Sequence, residues 1–138
     1  MATKVESGGV IPVLPAEIEE FEREVKRFRD GEWDEAQFIA WRLLRGTYGQ
    51  RQPDAQMFRI KIPYGGLTAD ELDTFGVIAR ELAPLKKGHF TTRENIQFHH
   101  MTLEGATEGM RLLAEVGLST REACGNTVRN VTGCPMAG

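Results

Sequence analysis

The residues best suited to chemistry lie in the segment TTRENIQFHH, residues 91–100. Read as a β-strand, this segment alternates, and one face collects its polar members: Thr91, Arg93, Asn95, Gln97 and His99. Ile96 and Phe98 fall on the opposite, apolar face. Arg, Asn, Gln and His all donate directed hydrogen bonds, and arginine can hold a carboxylate with two N–H groups. The pattern predicts a face that binds a polyanion, although an ordinary solvated strand face shows the same alternation.

Further cations occur in two other segments. Arg59 and Lys61 share one face of a second predicted strand, 57–62, and Arg129 lies in a tail rich in Gly and Asn. A single cation is more often a solvated surface charge than a ligand contact. If the two strands pair, however, the cations of one lie beside the donors of the other. Together they would form one anion-binding surface on a chain whose net charge is −3.

The histidines and cysteines do not suggest a metal centre within this chain. His89 joins the polar face because it is an even number of residues from Arg93. His99 and His100 are adjacent, so alternation points them to opposite faces and argues against a shared metal ion. Cys124 and Cys134 have a spacing that fits no iron–sulfur motif. We therefore predict no metal ligands here.

Composition limits the class of protein. The chain has 138 residues, of which 41% are hydrophobic and 27% charged, a balance typical of a soluble domain with one modest core. The absence of a basic excess argues against a nucleic-acid partner. No apolar stretch reaches the ~18 residues of a membrane span, and the first residues lack the order of a secretory signal. The expected location is the cytoplasm, with no membrane partner.

The spacing of apolar residues and the helix-capping signals together predict an α+β fold. Helices are expected at 15–30 and 34–44, then a loop at 46–56 and the strand at 57–62. A capping box of Thr68 and Glu71 begins a third helix, which ends before Pro84. A second strand at 89–101 and a helix at 107–116 follow. The resulting βαβα unit has a two-stranded sheet, which is marginal alone and needs a partner.

Four segments, in order, carry a resemblance to a known family: LLRGTYGQRQ, MFRIKIPYGG, TTRENIQFHH and GNTVRNVTGCPMAG. They resemble the start of the nitrite and sulfite reductases that contain sirohaem and a 4Fe-4S cluster. The resemblance covers residues 43–138, while the residues before it are similar to a variable helical lead-in. It implies six-electron reduction of sulfite to sulfide or of nitrite to ammonia. It also implies a ferredoxin-like half domain that pairs with a second, related half.

The resemblance also implies roles for individual residues. Arg93, Gln97 and His99 match positions that hold the carboxylates of sirohaem, and His89 matches a cofactor-contacting position more loosely. Arg59 and Arg129 match the two arginines that contact the substrate anion. The family's cluster cysteines and a pair of active-site lysines have no counterpart in residues 1–138. The implied partners are ferredoxin or a flavoprotein reductase as electron donor, and the remainder of the same polypeptide.

These expectations divide the chain into four parts. Residues 1–14 are a flexible lead-in, 15–46 a helical lead-in, 47–120 the half domain, and 121–138 the start of the domain that binds sirohaem and the cluster. The predicted function is that of the amino-terminal portion of an assimilatory sulfite reductase, inactive by itself. Nitrite reductase is the alternative within the family. A non-catalytic α+β binding or dimerisation module is the alternative outside it.

Overall fold

The computed structural model of the protein describes residues 11–136 and confirms the α+β class. Its elements, in chain order, are α1 Pro15–Arg29, α2 Glu35–Leu43, β1 Thr47–Gly49, β2 Gln56–Ile60, α3 Ala69–Val77, β3 His89–Phe90, β4 Ile96–Met101 and α4 Leu103–Glu115. A short 3-10 turn follows β2, and a π-helical turn, Ile78–Leu82, extends α3. Within the described range no helix is long and apolar enough to cross a bilayer. Residues 1–10 of the predicted lead-in lie outside that range.

Local hydrogen bonds set where the helices begin. Asp34 accepts from the backbone N–H of Gln37 at 3.1 Å and so starts α2. Thr68 and Glu71 form the predicted reciprocal box at the start of α3, with bonds of 3.3 and 2.7 Å. α4 begins earlier than predicted, at Leu103 rather than at residue 107, because the Thr102 hydroxyl accepts from the backbone N–H three residues on, at 2.9 Å. The first three helix starts are confirmed.

The sheet is larger than predicted. It has four antiparallel strands in the order β1-β2-β4-β3, not two. The predicted loop 46–56 contributes β1, and the predicted strand 89–101 is a hairpin of β3 and β4. A turn separates those two strands because Glu94 has φ 57° and the backbone N–H of Thr91 donates to the carbonyl of Asn95 at 2.9 Å. A residue in the left-handed region cannot continue a strand.

A β-bulge in β4 changes which side chains share a face. Gln56 pairs with Met101 but Phe58 pairs with Phe98, so His99 and His100 both lie opposite the single residue Met57. The prediction that the two histidines point to opposite faces is therefore wrong. Phe98 and Met101, three residues apart, are both fully buried as a result.

The two faces of the sheet differ in chemistry. Large apolar side chains fill the space between the helices and one face: Phe21, Phe38, Phe58, Ile60, Ile62, Ile78, Phe98, Met101, Leu103 and Leu113. The alternation predicted over residues 57–62 holds from Phe58 onward, since Phe58, Ile60 and Ile62 are buried whereas Arg59 and Lys61 are half-buried. Met57, which was predicted to share the face of Arg59, is buried. We call the second face, with Arg59, Lys61, Gln97, His99 and His89, the polar face. The segment after α4, residues 116–136, crosses one end of this face, and we call it the tail.

Gly46, just after α2, allows the backbone to pass close to β2 and to the tail. It has φ 77°, and a Cβ there would lie 2.6 Å from the carbonyl oxygen of Thr120 and 2.7 Å from that of Arg59. Gly31 has a similar φ of 78° but open space around it. Both glycines avoid the strain of a left-handed backbone, whereas only Gly46 also allows close backbone approach.

We therefore expect Gly46→Ala to destabilise the protein by ~1–3 kcal/mol more than Gly31→Ala, because overpacking adds to the backbone strain that both share. Thermal unfolding of the two variants measures the difference. Equal losses would show that the backbone around Gly46 relaxes to admit a methyl group.

Candidate functional site

Strand pairing brings four of the predicted site residues into one connected row. Arg59 on β2 is the register partner of Gln97 on β4 and donates to its Oε1 from Nε and Nη2, at 3.2 and 2.8 Å. Gln97 Nε2 lies 3.1 Å from Nε2 of His99. His89 on β3 pairs with Gln97, and its ring centroid is 4.9 Å from that of His99. The row Arg59–Gln97–His99–His89 runs across three strands of the polar face.

His89 reaches this row by a route that differs from the predicted one. The prediction counted residues along one continuous strand from Arg93, but the turn interrupts that count. Antiparallel pairing of β3 with β4 brings His89 beside the row instead, because partners in register share a face.

Arg93 and Asn95 are not on the polar face, which corrects the predicted alternation over residues 91–99. Arg93 is exposed in the turn, and its Nη2 donates to the backbone carbonyl of Asn130 at 2.8 Å. Asn95 is buried, and its Oδ1 accepts from the hydroxyl of Thr91. Arg93 therefore meets the tail rather than the row.

Asn130, which the sequence reasoning missed, ties the tail to the sheet. Its Oδ1 accepts from the backbone N–H of Ile62 at 2.9 Å. Its Nδ2 donates to the carbonyls of Ile62, Arg93 and Glu94 at 2.8, 2.9 and 3.2 Å. The residue is 3% exposed. In a tail rich in Asn and Gly, nothing in the sequence distinguishes it from solvated neighbours.

The tail places Arg129 beside the end of β2. Lys61 Nζ donates to the carbonyl of Val128 at 3.0 Å, and Arg59 Nη1 lies 3.5 Å from the carbonyl of Ala123. A cavity of about 210 Å³ opens there, lined by Lys61, Ser119, Glu122, Arg129, Asn130 and neighbours. The Nε of Arg129 is buried and has no hydrogen-bond partner.

In the described residues the cations around the polar face lack acidic partners, whereas many arginines elsewhere are paired. Salt bridges to Asp or Glu hold seven arginines: Arg23, Arg27, Arg29, Arg45, Arg80, Arg111 and Arg121. Over residues 11–136, no salt bridge forms with Arg59, Lys61, Arg93 or Arg129. The polar face, together with Arg93 and Arg129 at its rim, thus presents positive charge that no acidic side chain in residues 11–136 pairs with.

Burial shifts the titration of several groups at this face. Desolvation lowers the pKa of Arg59, and the nearby charge of Arg129 lowers it further. Desolvation also lowers the pKa of His99, with smaller effects from His89, His100 and Arg59. Burial raises the pKa of the Cys124 thiol, which is 1% exposed, against the opposing effect of Arg59 and Arg129. The shifts of Arg59 and His99 report side chains whose positive charge is costly to bury until an anion arrives, whereas the shift of Cys124 keeps its thiol protonated.

This donor set fits an anionic cofactor. The polar face and its rim hold unpaired guanidinium groups, a buried Nε without a partner, and a histidine flanked by two amides. A group rich in carboxylates would satisfy these donors, because charge-assisted hydrogen bonds to arginine offset the cost of burying both charges. In the part of the chain that is described, no three His, Cys, Asp or Glu side chains are grouped to hold a metal ion.

Comparison with known proteins defines the class. Residues 48–116 match the family model of the nitrite/sulfite reductase ferredoxin-like half domain. The chain belongs to this family.

Its relatives include both kinds of reductase. The assimilatory ferredoxin-dependent nitrite reductase of Haloferax mediterranei is 38% identical over 104 residues, which is 67% of this chain and 18% of that protein. The ferredoxin sulfite reductase of Mycobacterium tuberculosis is 40% identical over 82 residues, or 59% of this chain and 15% of that protein. The structure of the NirA protein of M. tuberculosis matches with a TM-score of 0.68 and 30% identity, over 77% of this chain and 22% of that one. The chain thus spans less than a fifth of the curated relatives' length.

Proposed function

We propose that this chain is the amino-terminal portion of a sirohaem-dependent assimilatory sulfite reductase and that its polar face binds anions during the reaction. The observation that carries the proposal is the set of cations at that face without acidic partners in residues 11–136. Membership of the nitrite and sulfite reductase family supports it. On this proposal, residues 47–120 form the half domain and 121–138 begin the domain that binds the cofactors.

The residues divide into two roles. Gln97, His99 and His89, together with Arg93 at the rim, would hold the carboxylates of sirohaem. When bound, the sirohaem and the 4Fe-4S cluster of the complete protein would pass electrons from the electron donor to the substrate for a six-electron reduction. Arg59 and Arg129 would bind and orient the substrate oxyanion, because a guanidinium matches two oxygens at once. Their charges would also stabilise the negative charge that develops as oxygen leaves as water.

Two neighbouring guanidinium groups favour sulfite over nitrite. Sulfite carries up to two negative charges on three oxygens, whereas nitrite carries one charge on two oxygens. Coulomb attraction grows with the charge of the anion, and the tail brings Arg129 to the end of β2, the strand that carries Arg59. Nitrite stays the alternative substrate, because relatives of both names match this chain. The proposed electron donor is ferredoxin, as in the names of those relatives, or a flavoprotein reductase.

Arg93→Ala in the complete gene product tests the cofactor role. We expect it to lower the sirohaem bound per polypeptide, measured from visible absorption and from extracted cofactor, because a charge-assisted contact is lost. Arg80→Ala is the matched control: it removes an exposed cation from the π-helical turn, away from the polar face. An unchanged sirohaem content in Arg93→Ala would contradict the assigned role. A wild-type protein without any visible absorption would instead favour the non-catalytic module.

Turnover with each oxyanion tests the substrate. Reduced methyl viologen can serve as the electron source for the complete gene product, and kcat/KM is compared for sulfite and nitrite. A higher kcat/KM for sulfite is expected. A clear preference for nitrite would reassign the protein within the family.

A further inference from the structure

Gln50, in the loop after β1, contacts the bulged part of β4. Its Oε1 accepts from the backbone N–H of His100 at 2.7 Å, and its Nε2 lies 3.3 Å from Nδ1 of His99. The backbone N–H of Gln50 donates to the carbonyl of Ala55 at 2.8 Å, so hydrogen bonds hold both its backbone and its side chain. Because a backbone N–H only donates, the oxygen of the Gln50 amide must face His100, and its NH₂ group must face His99.

Gln97 is oriented in the same manner from the other side of the ring. Two N–H groups of Arg59 donate to Gln97 Oε1, which leaves its Nε2 against Nε2 of His99 at 3.1 Å. Guanidinium groups never accept hydrogen bonds, so this amide cannot be turned over without losing both contacts.

His99 therefore has an amide NH₂ group at each ring nitrogen. A neutral imidazole has one nitrogen that accepts, and a protonated imidazole has none. Protonation of His99 would place N–H against N–H at both contacts. The titratable and charged groups that face the ring are His89 on β3, His100 on β4 and Arg59 on β2, and all of them oppose a positive charge.

We infer that Gln50 is a positioning residue which, together with Gln97, holds His99 as a neutral imidazole with one unsatisfied N–H. In the neutral ring, the nitrogen without a proton accepts a hydrogen bond from one amide NH₂ group. At the other nitrogen, the ring N–H and the second amide NH₂ group are both donors and cannot bond to each other. An acceptor oxygen from a bound anion satisfies both of those donors. The role of that oxygen rests on the proposed function, in which carboxylates of the cofactor reach this face. The neutral state of His99 follows from the protein's own contacts.

The matched variants Gln50→Glu and Gln52→Glu test the inference. Gln50→Glu keeps an oxygen for the N–H of His100 but replaces the NH₂ group at His99 with an accepting, negatively charged oxygen. Gln52→Glu adds the same charge at an exposed position in the same loop. Hydrogen–deuterium exchange at the C2 carbon of each histidine, followed by mass spectrometry across pH, gives the pKa of His99 in the complete gene product prepared without sirohaem, so that no cofactor carboxylate contacts the ring.

We expect Gln50→Glu to raise the pKa of His99 by about 1–3 units, the usual effect of a carboxylate in contact, and Gln52→Glu to change it far less. Gln50→Met, which only removes the amide, should raise it by a smaller amount and serves if the glutamate variant does not fold. The inference is overturned if Gln50→Glu moves the pKa of His99 no more than Gln52→Glu does, or if His99 is already protonated at neutral pH in the wild type.

Sirohaem content, measured on cofactor-loaded preparations of the same proteins, separates this inference from the proposed function. We expect Gln50→Glu to bind less sirohaem, because its carboxylate occupies the donors intended for the cofactor. A wild type that lacks sirohaem, with the pKa shift present, would remove the proposed function and keep the positioning role. A wild type that contains sirohaem, with no shift in Gln50→Glu, would remove the positioning role alone.

Discussion

Arg129→Ala in the complete gene product is expected to lower kcat/KM for the oxyanion by ~100- to 1,000-fold, the usual cost of removing one donor to a developing negative charge. Sirohaem content should stay unchanged, since the cofactor is assigned to other residues. The folded protein should lose little stability. The Nε of Arg129 is buried without a partner, and no salt bridge within the described range involves this residue. Deleting a donor that the protein itself does not satisfy removes no internal hydrogen bond.

Arg129→Lys gives the matched control for this prediction. It keeps the positive charge and loses the planar pair of N–H groups, so an intermediate kcat/KM is expected. Arg59→Ala should also lose turnover while retaining cofactor, with a larger loss of stability because Gln97 Oε1 then lacks both of its donors. Full activity in both Arg59→Ala and Arg129→Ala would contradict the substrate role assigned to this pair.

Asn130→Ala is expected to lower the free energy of unfolding by ~2–4 kcal/mol, since it leaves buried backbone groups without partners. The N–H of Ile62 would lose its acceptor, and the carbonyls of Ile62, Arg93 and Glu94 would lose their donor. Hydrogen exchange of the Ile62 amide measures the effect locally, because that N–H is released directly. Faster exchange there and a lower unfolding temperature are the expected results.

Asn126→Ala is the control for this change, because Asn126 lies exposed in the same tail. It should leave both the unfolding temperature and the Ile62 amide unaffected. If Asn130→Ala exchanged its Ile62 amide at the wild-type rate, another acceptor or water would be replacing the side chain. The assignment of Asn130 as the link between tail, β2 and the hairpin turn would then be wrong.

The correct predictions concern features that depend on near neighbours in the chain. The start of α1 follows from Pro15 in its first turn. The starts of α2 and α3 follow from Asp34 and from the capping box of Thr68 and Glu71, whose hydrogen bonds reach three residues along the chain. The alternation of Phe58, Arg59 and Ile60 in β2 follows from the period of two of a strand. The strand pairing also brings together Arg59, Gln97 and His99, as the sequence predicted, while their role toward an anion stays a prediction.

The wrong predictions concern features that depend on distant partners. β1 has three residues and β3 has two, so neither shows a period of its own. Each exists because a neighbouring strand offers its backbone groups. The turn at Glu94 and the bulge at His100 break the strand alternation that was predicted for residues 91–100. The only local sign of the bulge is the odd spacing of Phe98 and Met101, which are both apolar.

The sequence by itself determined the starts of the first three helices and the alternation of Phe58, Arg59 and Ile60 in β2. Capping and alternation act over a few residues, so the order of amino acids is sufficient to predict them. Only the tertiary structure decided that Gln50 meets His99 across 49 residues and that Asn130 meets Ile62 across 68. Hydrogen bonds of that reach depend on strand order, bulge and tail position, which are settled when the sheet and its core pack as a whole.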